Sequence, residues 1–382
     1  MNYSQAWHRV NRIRGLENKW FPKSSDLGMM RLILGLCCAA CLQVSANAQQ
    51  AKVKAAEAGA ETGPALVGHD EVDLASSVAG QLVLVIGAPG TEEFGSAFAE
   101  WGQRWRKVAD QSDLDFVPIG LGDKPKEGSD RDLLRKTLTS GPENQSTPLW
   151  LVLIGHGTYA RDVAKFNLRG PDISAADLAK WTEGTKRPIV IINCASASGP
   201  FVNRLSGPQR VVVTATRSGV EQNYARFGDF LSEAIGSQDS DLDHDGEVSI
   251  HEAFLRASAG VRMFYESEDR IATEHAIIDD NGDGKGTPAK MFRGVRPNAT
   301  AKDGALDGAA ALRVTVTPAG GRLPFTPAEL KQRANLEDQI DELRGRVAEL
   351  DQQELDAALL PLMLRLSRLY QAAQERDQAR EN

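Results

Sequence analysis

Five short apolar runs, separated by helical patterns, constrain this chain more than any other feature. They occupy residues 82–86, 116–119, 149–154, 188–192 and 211–214. Their apolar residues are continuous rather than alternating, so both faces of each strand are expected to be covered. Strands of that kind alternating with helices predict an α/β fold: a mostly parallel sheet sandwiched by helices. The intervening helical stretches carry Phe94, Phe98, Trp101 and Trp105, then residues 130–138, then a helix opening over 175–181. Open sheets of this class place their sites outside the C-terminal ends of the strands. Those ends are where reactive side chains should be sought.

The N-terminus sets the compartment. Arg31 precedes a short apolar run through residue 44, and Ala46-Asn47-Ala48 is a small-x-small cleavage pattern, which reads as a secretory signal peptide. The run is too short for a comfortable membrane span. An uncleaved N-terminal anchor is the competing reading. The protein is therefore expected to be exported, to the periplasm or the extracellular space, with no stable membrane span once the leader is removed. Residues 49–80 are rich in Ala, Glu and Gly without periodicity and read as a flexible linker.

Composition then becomes informative. The chain carries 44 Lys+Arg against 52 Asp+Glu, a net −8. Cleavage after Ala48 removes six basic and two acidic residues and takes the net charge to −12. Neither value provides the basic surface that a nucleic-acid partner requires. Of Cys37, Cys38, Cys41 and Cys194, only Cys194 survives cleavage, so no intramolecular disulfide is expected, and a lone thiol in an exported protein asks for a reason.

Two strand ends carry chemistry. The third run leads into Gly155-His156-Gly157, the fourth into Asn193-Cys194-Ala195-Ser196-Ala197-Ser198-Gly199. Neighbouring parallel strands lie about 4.8 Å apart. If these two are neighbours, His156 and Cys194 emerge at one edge, where an imidazole can serve a thiol nucleophile. The backbone N–H groups of Gly157 and Cys194 are then the candidate oxyanion donors. A lone cysteine after an apolar strand is most often a small core residue; the catalytic reading rests on the joint placement of the two side chains.

At these residues the sequence resembles the caspase-like clan of cysteine peptidases, which includes legumain, caspases and gingipains. The resemblance covers roughly residues 80–235. It is closest to bacterial legumain-like or caspase-like proteins, through Gly155-His156-Gly157-Thr158-Tyr159, the stretch 165–172 and Thr214-Ala215-Thr216-Arg217-Ser218-Gly219. It implies a His156–Cys194 dyad that cleaves a peptide or protein substrate: the sulfur attacks the scissile carbonyl and His156 protonates the leaving amine. One departure is that Asn193 precedes the cysteine where many members have alanine. Arg217 and Asp229 follow the fifth run, where a specificity pocket could be built, though solvated surface charges are the simpler reading.

An acidic loop supplies a second chemistry. Residues 241–252 fit the EF-hand calcium loop at every informative position. Asp241, Asp243 and Asp245 stand at positions 1, 3 and 5, and Gly246 at the turn. Glu247 offers its carbonyl at 7, Ser249 stands at 9, and Glu252 offers a bidentate carboxylate at 12. Val248 stands at position 8, usual between paired loops, and helices are expected over 227–235 and 250–261. A second stretch, with Asp279, Asn281 and Asp283, starts the same way, but Lys290 stands at position 12 and Pro288 interrupts the exiting helix. It reads equally as a truncated calcium site or as an Asx/Gly-rich turn. Calcium is thus the expected cofactor. Zinc is not expected, since His69, His244, His251 and His275 lack ligand spacing. Gly87-Ala88-Pro89-Gly90 after the first run lacks the Lys-Ser/Thr of a nucleotide site.

Towards the C-terminus, Leu336, Ile340, Leu343, Val347 and Leu350 are spaced 4-3-4-3, and a second helix near 354–378 carries Pro361. This predicts a helical hairpin, a candidate surface for a helix-mediated protein partner, rather than a long coiled coil. The expected organisation is leader and extension (1–48), linker (49–80), caspase-like α/β domain (81–236), calcium-loop region (237–293), linker with a short strand (294–326) and hairpin (327–382). The leading functional reading is an exported calcium-binding cysteine endopeptidase. The alternative is a catalytically inactive calcium-binding scaffold or interaction protein of the same fold.

Overall fold

The five apolar runs are strands, and all five run parallel. The computed structural model describes residues 80–382 except 124, 126, 141–146, 244, 301–303, 317–324, 346–350 and 382. The expected leader and nearly all of the linker lie outside the described residues, as do His244, Val347 and Leu350.

The sheet opens with β1 (Gln81–Ile86), α1 (Glu92–Gln111), β2 (Asp115–Ile119), α2 (Asp130–Thr139) and β3 (Leu149–Ile154). Three short strands follow: β4 (Gly157–Ala160), β5 (Val163–Phe166) and β6 (Ile173–Ser174). Next come α3 (Ala175–Trp181), β7 (Ile189–Asn193), α4 (Pro200–Leu205), β8 (Arg210–Thr214) and α5 (Phe227–Ala234). The acidic region holds β9 (Val248–Ser249), α6 (Ile250–Ser267), β10 (Ile277–Asp279), β11 (Thr287–Pro288), β12 (Phe292–Arg293), β13 (Arg296–Pro297), α7 (Ala309–Leu312) and β14 (Thr315–Val316). The C-terminal hairpin is α8 (Pro327–Gly345) and α9 (Gln352–Glu381).

The main sheet has seven strands in the order β11-β10-β8-β7-β3-β1-β2. Strands β1, β2, β3, β7 and β8 pair in parallel. β10 joins β8 antiparallel and β11 joins β10 antiparallel, two strands absent from the sequence expectation. Alternate strand residues divide the core in two. Leu82, Leu84, Trp150, Val152, Val190, Ile192 and Val213 face Phe98, Trp101 and Trp105 of α1 together with α5 and α6. Val83, Val85, Leu151, Leu153, Ile191 and Val212 face α2, α3 and α4. Burying both faces is what continuous apolar strands require, and each such side chain contributes about 1.5–3 kcal/mol.

Serine and threonine caps fix where the helices begin. Thr91, Ser129 and Ser174 each accept a backbone N–H from the first turn, and Ser174 with Asp177 makes a full capping box. The hairpin helices pack on each other through buried Leu336, Ile340, Leu369 and Ala373, with Arg376 paired to Glu329 at 2.6 Å. No described helix is long and apolar enough to cross a membrane.

Candidate functional sites at the sheet edge and the acidic loops

β3 and β7 are neighbours, as the dyad reading requires, but their register separates the two expected partners. Leu153 stands opposite Asn193. Continuing that register places Ile154 opposite Cys194 and His156 opposite Ser196. Cys194 is therefore two residues deeper than the histidine. It is 1% exposed and belongs to the core beside α1 and α5. The contact is tight: a Cβ on Gly228 would meet the Cys194 Cβ at 2.8 Å and the Trp101 ring at 2.9 Å. Burial, with a smaller contribution from the charge of Glu274, pushes the thiol far above its ordinary range. The expected nucleophile therefore lies buried at this position, away from solvent.

The two expected oxyanion donors are also engaged. The Cys194 N–H donates to the Leu153 carbonyl at 2.9 Å, continuing the ladder. The Gly157 N–H donates to the Ser196 hydroxyl at 3.3 Å, and that hydroxyl donates back to the Gly157 carbonyl at 3.1 Å. Glycine is needed there, since a Cβ at 157 would meet the Ser196 carbonyl oxygen at 2.0 Å.

His156 stands at the end of β3 with its ring turned to the 87–90 turn. Its Nε2 lies 3.1 Å from the Pro89 carbonyl oxygen. A carbonyl only accepts, so Nε2 carries the proton and Nδ1 is the basic nitrogen. The half-buried ring stands edge-on to Phe94 and Phe98, with centroids at 4.8 and 5.2 Å, and tilts against Tyr224 at 6.2 Å. Pro89 and Ser196 are the residues that sequence reasoning missed. The 87–90 turn was weighed only for phosphate, and a carbonyl partner leaves no side-chain signature. Ser196 was within view, two residues past the cysteine. Arg217 pairs with Glu221, and Asp229 with Arg104 at 2.7 Å, so both are ion-pair residues of the surface.

The first acidic loop closes on itself. Asp241 accepts the N–H groups of Asp245 and Gly246, both at 3.0 Å, and Gly246 has the left-handed φ of +87°. Ser249 caps α6 in a capping box with Glu252. The Glu252 carboxylate thereby turns back over the loop, accepting from Leu242 N–H at 2.7 Å and Asp243 N–H at 3.2 Å. Ligand oxygens of Asp241, Asp243 and Glu252 lie within 4.8 Å of one another. Asp245 stands alongside, accepting the Glu247 N–H at 2.8 Å. Burial, then repulsion from Asp243 and Glu247, pushes Asp245 up to about 8, with Arg333 opposing. Burial and Asp243 also raise Glu252. These oxygen donors fit a hard divalent cation, which would offset that repulsion.

Two expected ligands have other side-chain partners. The Ser249 hydroxyl is held by Glu252, and the Glu247 carboxylate accepts from Thr315 and from Arg333 of α8, both at 3.1 Å. The Glu247 group left for the expected loop is its backbone carbonyl. Val248 bridges to Val316 of β14 rather than to a paired loop. His251 is buried against Phe292, centroids 4.5 Å apart, and burial lowers it to about 4. His275 pairs with Glu221 at 2.7 Å.

In the second acidic loop, Asn281 accepts the Asp283 N–H and Asp283 the Lys285 N–H, both at 2.8 Å. Asp279 is buried at the end of β10 and accepts from the Ser206 hydroxyl at 2.9 Å. No helix leaves this loop; β11 follows instead.

No protein-family model matches the sequence, and no curated protein matches it. Solved structures similar to the chain include caspases. The Drosophila initiator caspase Dronc is 15% identical, with a TM-score of 0.39, over 59% of this chain and 92% of that one. Caspase-1 from Spodoptera frugiperda is 11% identical, with a TM-score of 0.35, over 58% of this chain and 94% of that one.

Proposed function

We propose that this is an exported calcium-binding protein whose caspase-like α/β domain binds a protein or peptide partner without cleaving it through Cys194. The observation that carries the proposal is the convergence of Asp241, Asp243 and Glu252 within 4.8 Å in a loop of EF-hand spacing. Calcium would be held by those carboxylates, by Asp245 and by the Glu247 carbonyl, with Ser249 at the water-mediated position. The ion supplies charge that holds the loop closed between α5 and α6.

Burial of Cys194 favours the scaffold reading over the endopeptidase. A peptidase needs its nucleophile, base and oxyanion donors at one reachable point. Here the thiol lies in the core, both expected donors are bonded, and the hydroxyl opposite His156 spends its proton on Gly157. What remains at the edge is a basic Nδ1 among Phe94, Phe98 and Tyr224, groups suited to recognition.

Thermal unfolding with and without calcium tests the reading. At about 100 times the dissociation constant, calcium should stabilise the chain by about 2.7 kcal/mol. Asp241→Asn with Glu252→Gln should remove nearly all of that gain. A gain unchanged in the double variant would move the principal site elsewhere and overturn the assignment. Release of peptide fragments that is lost in Cys194→Ala would overturn the non-hydrolytic half.

A further inference from the structure

We propose that the loop Asp279–Gly284 is a second calcium site, with ligands of its own and built without a carboxylate at its twelfth position. Asp279 is fully buried. Its Oδ1 accepts from the Ser206 hydroxyl, its buried Oδ2 has no close hydrogen-bond partner, and the Gly282 and Gly284 N–H groups face the carboxylate. A buried carboxylate oxygen left unpaired costs at least about 1–3 kcal/mol, so a missing cationic partner is the natural completion. The same Ser206 hydroxyl accepts the Gly284 N–H at 2.9 Å, which sets the Asp279 carboxylate beside the sixth position of the loop.

The other donors curl as in the first loop. Asn281 Oδ1 and Asp283 Oδ1 accept from the residues two further on, as Asp243 and Asp245 do. Gly282 and Gly284 adopt φ of +81° and +74°, which a side chain resists. The ligand set is then Asp279, Asn281, Asp283 and the Lys285 carbonyl, with water completing the shell. Asp283 Oδ2 also accepts the Ala305 N–H at 2.8 Å, and nearby Asp280 and Asp307 hold donors of their own. Asp280 accepts from Gly308 and Ala311 N–H at 2.8 and 2.7 Å, and Asp307 from Asp280 N–H and Thr287 Oγ1 at 3.0 and 2.5 Å.

Oxygen donors of mixed charge in an incomplete shell suit calcium at low affinity, about 10⁻⁴–10⁻³ M, the range of extracellular modules. Asn203 donates to the Gly284 carbonyl at 2.8 Å, so the loop already touches the α4–β8 connection. Calcium there would staple the antiparallel edge, β10 and β11, to the parallel sheet.

The test uses the full chain and calcium chloride. Calorimetry should give a stoichiometry of two for the native sequence. Glu252→Gln, which disables the first loop, should leave one weak site and a residual rise in melting temperature at millimolar calcium. Adding Asp283→Asn, an exposed position that spares the buried Asp279, should abolish that remainder. No calcium response in Glu252→Gln overturns the second site and leaves the first loop standing. A single site kept in Glu252→Gln but lost in Asp283→Asn supports the second site and overturns the assignment of the first.

Discussion

Cys194 offers the sharpest separation between the two functional readings. The folded chain is exposed to iodoacetamide at pH 8, quenched at intervals, and the peptide containing Cys194 is read by mass. With 1% of the residue exposed, alkylation must wait for an opening of the sheet edge. If that opening costs about 5 kcal/mol, the low end of domain stability, labelling slows by about 10³–10⁴ relative to the urea-unfolded chain. Because burial raises the thiol far above its usual range, native labelling should also show no thiolate at neutral pH. Cys194→Ser places a hydroxyl in the core against Gly228 and Trp101 and should cost about 1–3 kcal/mol by chemical denaturation. Cys194→Ala removes one buried heavy atom and should cost about 1 kcal/mol. Labelling within tenfold of the unfolded rate, suppressed by His156→Ala, would refute the core assignment and restore the dyad.

Two further outcomes follow from the charges. Asp245 is pushed up to about 8 and Asp307 to about 7, each chiefly by burial, against about 4 in an unfolded chain. Between those values the folded state holds more protons than the unfolded one, so stability falls as pH rises through the window. The melting temperature in chelator should therefore decline from about pH 5 to pH 8, and calcium should flatten the slope; a metal-free profile that rises over this window contradicts it. Arg333→Gln takes the guanidinium from Glu247 (3.1 Å) and Asp245 (3.8 Å). It should destabilise the chain by about 3 kcal/mol, since Glu247 is buried, and tighten calcium binding several-fold by removing a competing positive charge. Unfolding midpoints and a calcium titration read both, and an unchanged affinity would show that the arginine does not sense the ion.

The parallel sheet was legible because burial on both faces leaves a simple mark, unbroken apolar runs. Register leaves no such mark. Nothing in 149–154 or 188–192 says whether His156 faces residue 194 or residue 196, yet that offset of two decides whether the thiol meets solvent. The β4–β5 hairpin was missed because Arg161 and Asp162, at φ +50° and +61°, make its tight turn without the Asn-Gly signal. β10 and β11 escaped notice because they are two short strands flanking a loop read for its ligands, and one of them contains Pro288. The convergence of Asp241, Asp243 and Glu252 was legible because their spacing sets which oxygens meet. The side-chain partners of Glu247 could not be read, since Arg333 comes from 86 residues further along the chain.

One segment braces both acidic loops. β14 pairs Val316 with Val248 and Thr315 with Ser249, while Ile250 N–H donates to the Val314 carbonyl at 2.9 Å. A few residues earlier the same stretch is held by the second loop, where Asp283 accepts the Ala305 N–H at 2.8 Å and Asp280 holds Gly308 and Ala311. Residues 304–316 thus lie under both loops, and their backbone donors and acceptors are shared between them. Ordering that segment costs conformational entropy once. An ion at either loop that fixes the segment lowers the cost for the other, and linkage makes that effect equal in both directions. Weakening by Asp283→Asn should therefore be felt at the first loop as well, through a backbone that neither ion touches.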